Sequence, residues 1–115
     1  MHESSLVEFT LNAVEDKAAS MNIKKVTLIH LTCGKMRGAI PQLMNEAFRL
    51  LTPARPMFHG AVLEMEETPI IAKCRACNSQ HEIEEFHDIT CPACGGKEYD
   101  IISGEELRID YFEGE

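Results

Sequence analysis

Cys74-Arg75-Ala76-Cys77 and Cys91-Pro92-Ala93-Cys94 are two C-x-x-C pairs with thirteen residues between them. Each pair can turn two thiolates onto one ion, at about 2.3 Å for zinc, and two pairs close all four positions of a tetrahedral site. Such a site leaves no position for water, so the zinc is expected to be structural rather than catalytic. Gly95 and Gly96 follow the second pair and supply permissive backbone for a tight turn. A redox motif would need only one pair beside a βαβ unit. A disulfide framework belongs to an exported domain, and the sequence shows neither a signal peptide nor a long apolar run. A rubredoxin-like iron site is the remaining alternative, separable by its visible absorption. Cys33 stands apart and reads as a small buried strand residue.

At 115 residues and 44% hydrophobic content, the chain has room for one domain, or one small domain with a satellite. Its net charge of −8 is concentrated late: residues 101–115 carry one basic and five acidic side chains, whereas residues 1–71 carry seven and eight. Four zinc thiolates would add about two further negative charges to that end. A zinc ribbon that grips phosphates needs the opposite sign, so no nucleic-acid partner is expected. No G-x-x-x-x-G-K-[ST] is present and Cys33 has no visible base beside it, so no enzyme is expected.

Ser5 and Glu8 have the spacing of a capping box, which predicts a helix starting at Ser5. Val7, Leu11, Val14, Ala18 and Met21, widened by Leu6, Phe9 and Ala13, form its core stripe. Val26 to Cys33 is apolar on both faces and reads as a central strand, after which Gly34 to Gly38 turns the chain. Pro41 suits the first turn of a second helix, with Ile40, Met44, Ala47, Phe48 and Leu51 as its buried face. Pro53-Ala54-Arg55-Pro56 is linker-like. Ala61, Leu63 and Met65 alternate with Val62, Glu64 and Glu66 as in a strand with one wet face. Leu107, Ile109 and Tyr111 alternate again, so the last segment can rejoin the first sheet. The expected fold is therefore α+β: a two-helix, roughly three-stranded domain of residues 1–71 plus 103–115, interrupted by a four-cysteine zinc ribbon over 72–102.

Met1-His2-Glu3 stands directly before the expected cap. His2 offers a metal its imidazole and its backbone nitrogen, and Met1, which a bulky second residue protects from removal, offers the α-amine. Glu3 can add its amide or its carboxylate. Nickel and copper favour such nitrogen-rich sites because they displace amide protons. Chemistry alone leaves a second reading open, a frayed terminus in solvent.

Met1-His2-Glu3 with Ser5-Leu6, Val26-Thr27, Gly60-Ala61-Val62-Leu63-Glu64, the two cysteine pairs with Gly95, and Gly104-x-Glu106-Leu107 occur in order along nearly the whole chain. Together they resemble the HypA/HybF family of nickel metallochaperones. The resemblance implies nickel delivery, with a partner GTPase, to the large-subunit precursor of [NiFe]-hydrogenase; some relatives also serve urease. It implies nickel (Ni2+) at Met1, His2 and Glu3, and structural zinc (Zn2+) at Cys74, Cys77, Cys91 and Cys94. It further implies a cytoplasmic protein, a monomer or weak homodimer, with no membrane partner. Ser4 departs from the leucine more common in the family and removes no ligand. The runner-up is an adaptor whose ribbon only docks proteins and whose N-terminus binds nothing.

His81 and His87 lie between the cysteine pairs among acidic residues and read as solvated surface, the alternative being a pH-dependent effect on the zinc module. His30 reads as a satisfied core or edge residue, and His59 carries no signal.

Overall fold

The computed structural model describes residues 2–84 and 89–115. Two helices and two separate three-stranded sheets build the fold. Helix α1 runs from Glu3 to Ser20, strand β1 from Val26 to Gly34, helix α2 from Pro41 to Leu51 and strand β2 from Val62 to Thr68. Strands β3 (Ile70–Cys74), β4 (Gln80–Ile83) and β5 (Tyr99–Ser103) follow, and β6 (Leu107–Gly114) ends the chain.

β1 is the centre of the first sheet, in the order β2-β1-β6. Its partner β2 is parallel, which requires a crossover, and α2 provides it. β6 returns antiparallel to the other side of β1. The chain thus leaves the first sheet after Thr68, builds the second sheet, ordered β4-β3-β5, and re-enters the first at Leu107. An α+β fold with a cysteine-rich insertion is what the spacing predicts.

The main core lies between the helices and the first sheet: Leu6, Val7, Leu11, Val14 and Ala18 of α1, Ile29, Leu31 and Cys33 of β1, and Met44, Ala47 and Phe48 of α2. The two helices run parallel, since Glu3 reaches Ile40 at one end while Glu15 pairs with Arg55, just beyond α2, at the other. A small second cluster of Ile70, Ala72 and Ile83 fills the second sheet.

Several expectations need correction. α1 begins at Glu3, two residues before Ser5, with His2 as its N-cap and no side-chain cap bond. The Leu6 N–H already donates to the His2 carbonyl at 3.1 Å, so the cap lies three residues earlier, most of a turn, and leaves Ser5 inside the helix. Phe9 and Met21 belong to the expected stripe yet are 56% and 55% exposed, and Ile40, expected in the buried face of α2, is 53% exposed. The 53–56 segment is no linker: two 3-10 turns pack there, Phe58 is fully buried, and the His59 ring bonds the Pro53 carbonyl at 3.0 Å.

The β6 alternation also slips. His30 faces Tyr111 while Leu31 faces Ile109, so Asp110 is an extra residue, a β-bulge. Phe112 rather than Tyr111 then packs on the core, and Tyr111 stacks on His30 across the open face of the sheet, 5.0 Å between ring centres. The bulged Asp110 accepts hydrogen bonds from Thr32, His30 and Arg108, so His30 is satisfied on the central strand rather than at an edge.

Glu106 fastens the two strands that cross between the sheets. Its carboxylate accepts from the Thr68 hydroxyl and from the Gly104 N–H at 2.9 Å, while Ser103 donates to the Pro69 carbonyl at 2.9 Å. Gly34 sits against this crossing so closely that a Cβ would lie 2.0 Å from the Gly104 carbonyl oxygen.

Candidate metal centre

β3 delivers Cys74 at its end, and the chain turns at once through Arg75 and Ala76 to Cys77. The Asn78 N–H donates to the Cys74 carbonyl, and the Cys74 N–H donates to the Ser79 carbonyl, both at 2.9 Å. The second pair repeats this pattern position for position, with Gly95 N–H to Cys91 carbonyl and Cys91 N–H to Gly96 carbonyl, both at 2.8 Å. In each knuckle the fourth residue after the first cysteine takes positive φ, 62° at Asn78 and 76° at Gly95. Asparagine and glycine are the residues that tolerate that conformation, so each loop can fold back and aim both sulfurs at one point. Gly96 packs under the cage, where a Cβ would lie 3.3 Å from the Cys94 sulfur and 3.4 Å from that of Cys74.

The four sulfurs of Cys74, Cys77, Cys91 and Cys94 lie within 4.8 Å of one another. Cys74 and Cys94 are 3.5 Å apart, Cys77 and Cys91 3.7 Å. A zinc tetrathiolate with bonds of about 2.3 Å has sulfur–sulfur edges of about 3.8 Å, so the cage fits a zinc ion with little adjustment. No other cluster of three or more metal-binding side chains occurs among the described residues.

The crowded thiols differ in how tightly they hold their protons. The Ser79 hydroxyl lies 3.1 Å from Cys77 and 3.4 Å from Cys91. Bonds from Ser79 and from the Cys94 N–H lower Cys91 to about 5. At Cys94 the Gly96 N–H pulls downward but the neighbouring Cys74 and Cys77 thiols outweigh it, raising the group to about 12. A divalent cation removes this competition by stabilising all four thiolates. Cys33, by contrast, is buried in the core, and burial raises its thiol above the ordinary value, as expected of an inert residue.

At the start of α1 His2 is exposed and Glu3 partly buried; Met1 lies outside the described residues. The Glu3 carboxylate accepts a hydrogen bond from the Ile40 N–H at the start of α2, at 3.4 Å. Sequence reasoning missed this contact, because nothing in local spacing links positions 3 and 40. His81 keeps a buried Nδ1 without a hydrogen-bond partner among the described residues, and His87, Glu85 and Asp88 fall outside them.

Fold and cage together define a small α+β metal-binding protein with a zinc-ribbon insertion. Residues 1–114 match the family described as hydrogenase/urease nickel incorporation, metallochaperone, hypA. The chain is 34% identical to the hydrogenase maturation factor HypA of Moorella thermoacetica over 115 residues, all of both chains. It is 36% identical over 110 residues to that of Syntrophus aciditrophicus, 95% of each chain. A solution structure of the Ni metallochaperone HypA from Helicobacter pylori shares the fold, with a TM-score of 0.69, 21% identity and coverage of 99% of this chain and 97% of that one. The chain belongs to the HypA family of nickel metallochaperones, a family of carriers rather than enzymes.

Proposed function

We propose that the chain binds Ni(II) through Met1, His2 and Glu3 and hands it, with a partner GTPase, to the precursor of a [NiFe]-hydrogenase large subunit in the cytoplasm. Residues 1–71 with 103–115 act as the nickel-carrying unit, and residues 72–102 as a unit that folds around zinc held by Cys74, Cys77, Cys91 and Cys94. The observation that carries the reading is where α1 begins. With His2 as N-cap and Glu3 as first helical residue, their amide N–H groups are among those no helix can use, so giving those protons up to a metal breaks no helical bond. The exposed His2 ring adds its imidazole to the same place, and the relative from Moorella thermoacetica matches the chain from end to end.

Bound zinc supplies folding free energy to its own module. What this chain's residues do for the cargo is present nitrogen donors, with the exposed His2 within reach of a partner, at the positive end of α1, which opposes tight retention of a dication. That balance suits a carrier that must release its metal. Nickel titration of the zinc-loaded protein tests it: one nickel per chain is expected, lost in His2→Ala with zinc content unchanged. Equal nickel binding by His2→Ala would put the nickel elsewhere on the chain, and no nickel binding by the parent would leave a ribbon that only docks proteins.

A further inference from the structure

The residue Glu3 can serve a nickel ion in two ways, through its amide nitrogen or through its carboxylate, and the structure shows the carboxylate already engaged. α2 has Ile40 as its N-cap, and the Ile40 side chain makes no cap bond. In a capping box the residue three positions into the helix reaches back with a Glu or Gln to the N-cap N–H. That position in α2 is Leu43, which cannot do so. Glu3, from the neighbouring parallel helix, accepts the bond instead, with its Oε2 3.4 Å from the Ile40 nitrogen. Glu3 is partly buried between two exposed neighbours, His2 and Ser4, as a side chain laid against another element should be.

We infer that the Glu3 carboxylate is a positioning group, not a nickel ligand: it completes the cap of α2 from outside and thereby pins the first turn of α1, so that His2 and the Glu3 amide are held ready for the metal. This rests on the nickel reading above. Ordering the donors before the metal arrives removes part of the entropy cost of binding. Loss of the anchor should therefore weaken nickel without changing which atoms bind it.

Ile40→Pro tests this without touching any residue of the nickel site. It deletes the N–H that Glu3 engages, and the backbone at position 40, with φ −95° and ψ 122°, is extended and about 30° in φ from the value proline prefers. Nickel affinity of zinc-loaded protein, read by calorimetry, is expected to fall about three- to ten-fold in Ile40→Pro and by a similar factor in Glu3→Ala, the scale of a lost cap. The double variant should be no weaker than either single one, since both remove the same contact. Glu3→Gln, which keeps an acceptor for Ile40 but is a poor ligand, should lose only about two-fold. The visible nickel spectrum should be the same in all of them.

If the carboxylate is a ligand, Glu3→Gln will be as weak as Glu3→Ala, its spectrum will shift, and Ile40→Pro will bind as the parent does. Either of those affinity results overturns the proposal. Should Ile40→Pro lose helix content by circular dichroism, the Glu3→Gln against Glu3→Ala ordering still decides. His2→Ala separates the two levels. If it binds nickel normally, the terminal site itself is wrong. If it loses nickel while Glu3→Gln matches Glu3→Ala, only the anchor is wrong.

Discussion

Single residues decide where the chain can turn, and the two knuckles show it most clearly. Gly95 is readable as a turn residue because it is a glycine after a cysteine pair. Asn78 is not, although it takes the same left-handed conformation at the matching position. A Gly95→Ala change puts a side chain into that conformation and is expected to cost about 1 kcal/mol of module stability. Asn78→Gly should be neutral within about 0.5 kcal/mol. Chelator competition, which reads zinc affinity, checks both; a Gly95→Ala protein holding zinc as tightly as the parent would contradict the strain argument.

Glu106 is the other residue with a role the sequence conceals. It stands in the Gly104-x-Glu106-Leu107 motif, but only the crossing of two strands shows that its carboxylate ties Thr68 to Gly104. Those bonds, Thr68 first, hold it below its ordinary value of 4.5. A carboxylate lowered in the folded state contributes stability above its unfolded value and loses it as pH falls through the lower folded one. The clasp should therefore be complete above pH 4.5 and fade below it. Glu106→Ala is expected to lose about 1.5 kcal/mol at neutral pH, the low end for hydrogen bonds to a charged group because Glu106 is only partly buried, and the deficit should shrink in acid. Urea melts at neutral pH and in acid below the ordinary carboxylate value measure this; an equal deficit at both would contradict it.

At the level of elements, periodicity finds both helices and the outer strands of the first sheet, because burial on one side imposes a repeat, while β1 is found by its apolar run. It misjudges their ends. Ser5 has the chemistry of a cap, yet the helix extends to Glu3, where the contact to Ile40 supports an earlier start. Strict alternation puts Tyr111 inward, and one bulged residue, Asp110, reverses it. Both errors arise from partners distant in sequence, which local pattern does not encode. The knuckles are legible for the opposite reason, since four ligands must meet at one ion whatever surrounds them.

The second sheet illustrates the consequence for stability. Its buried cluster is only Ile70, Ala72 and Ile83, with Met36, Ile89, Tyr99 and Ile101 partly buried against it, so the metal is expected to supply much of its stability. Cys91→Ala is thus expected to abolish amide-exchange protection in β3, β4 and β5 while leaving α1, whose Leu6, Leu11 and Val14 are fully buried, protected as before. Equal loss in α1 would show that the two sheets do not fold as separate units.

Over the whole molecule, the zinc cage and the chain start do different work. The cage is closed by four thiolates, whereas each of the proposed nickel donors must surrender a proton. Nickel affinity should fall steeply as pH drops from about 8 to 6, while zinc stays bound longer. Calorimetry at several pH values reads this directly, and a flat nickel affinity would exclude amine and imidazole donors.

The proposed nickel site needs a free α-amine at Met1, and three zinc-loaded forms test it: untagged, extended by two residues before Met1, and extended by two residues after Glu115. An N-terminal extension turns the α-amine into an amide and removes one donor and its chelate ring, leaving Cys74, Cys77, Cys91 and Cys94 untouched. Nickel binding is expected to be crippled in the N-terminally extended form alone, at one zinc per chain in all three. Equal nickel affinity in the three would contradict it and move the search to His30, His59, His81 and His87.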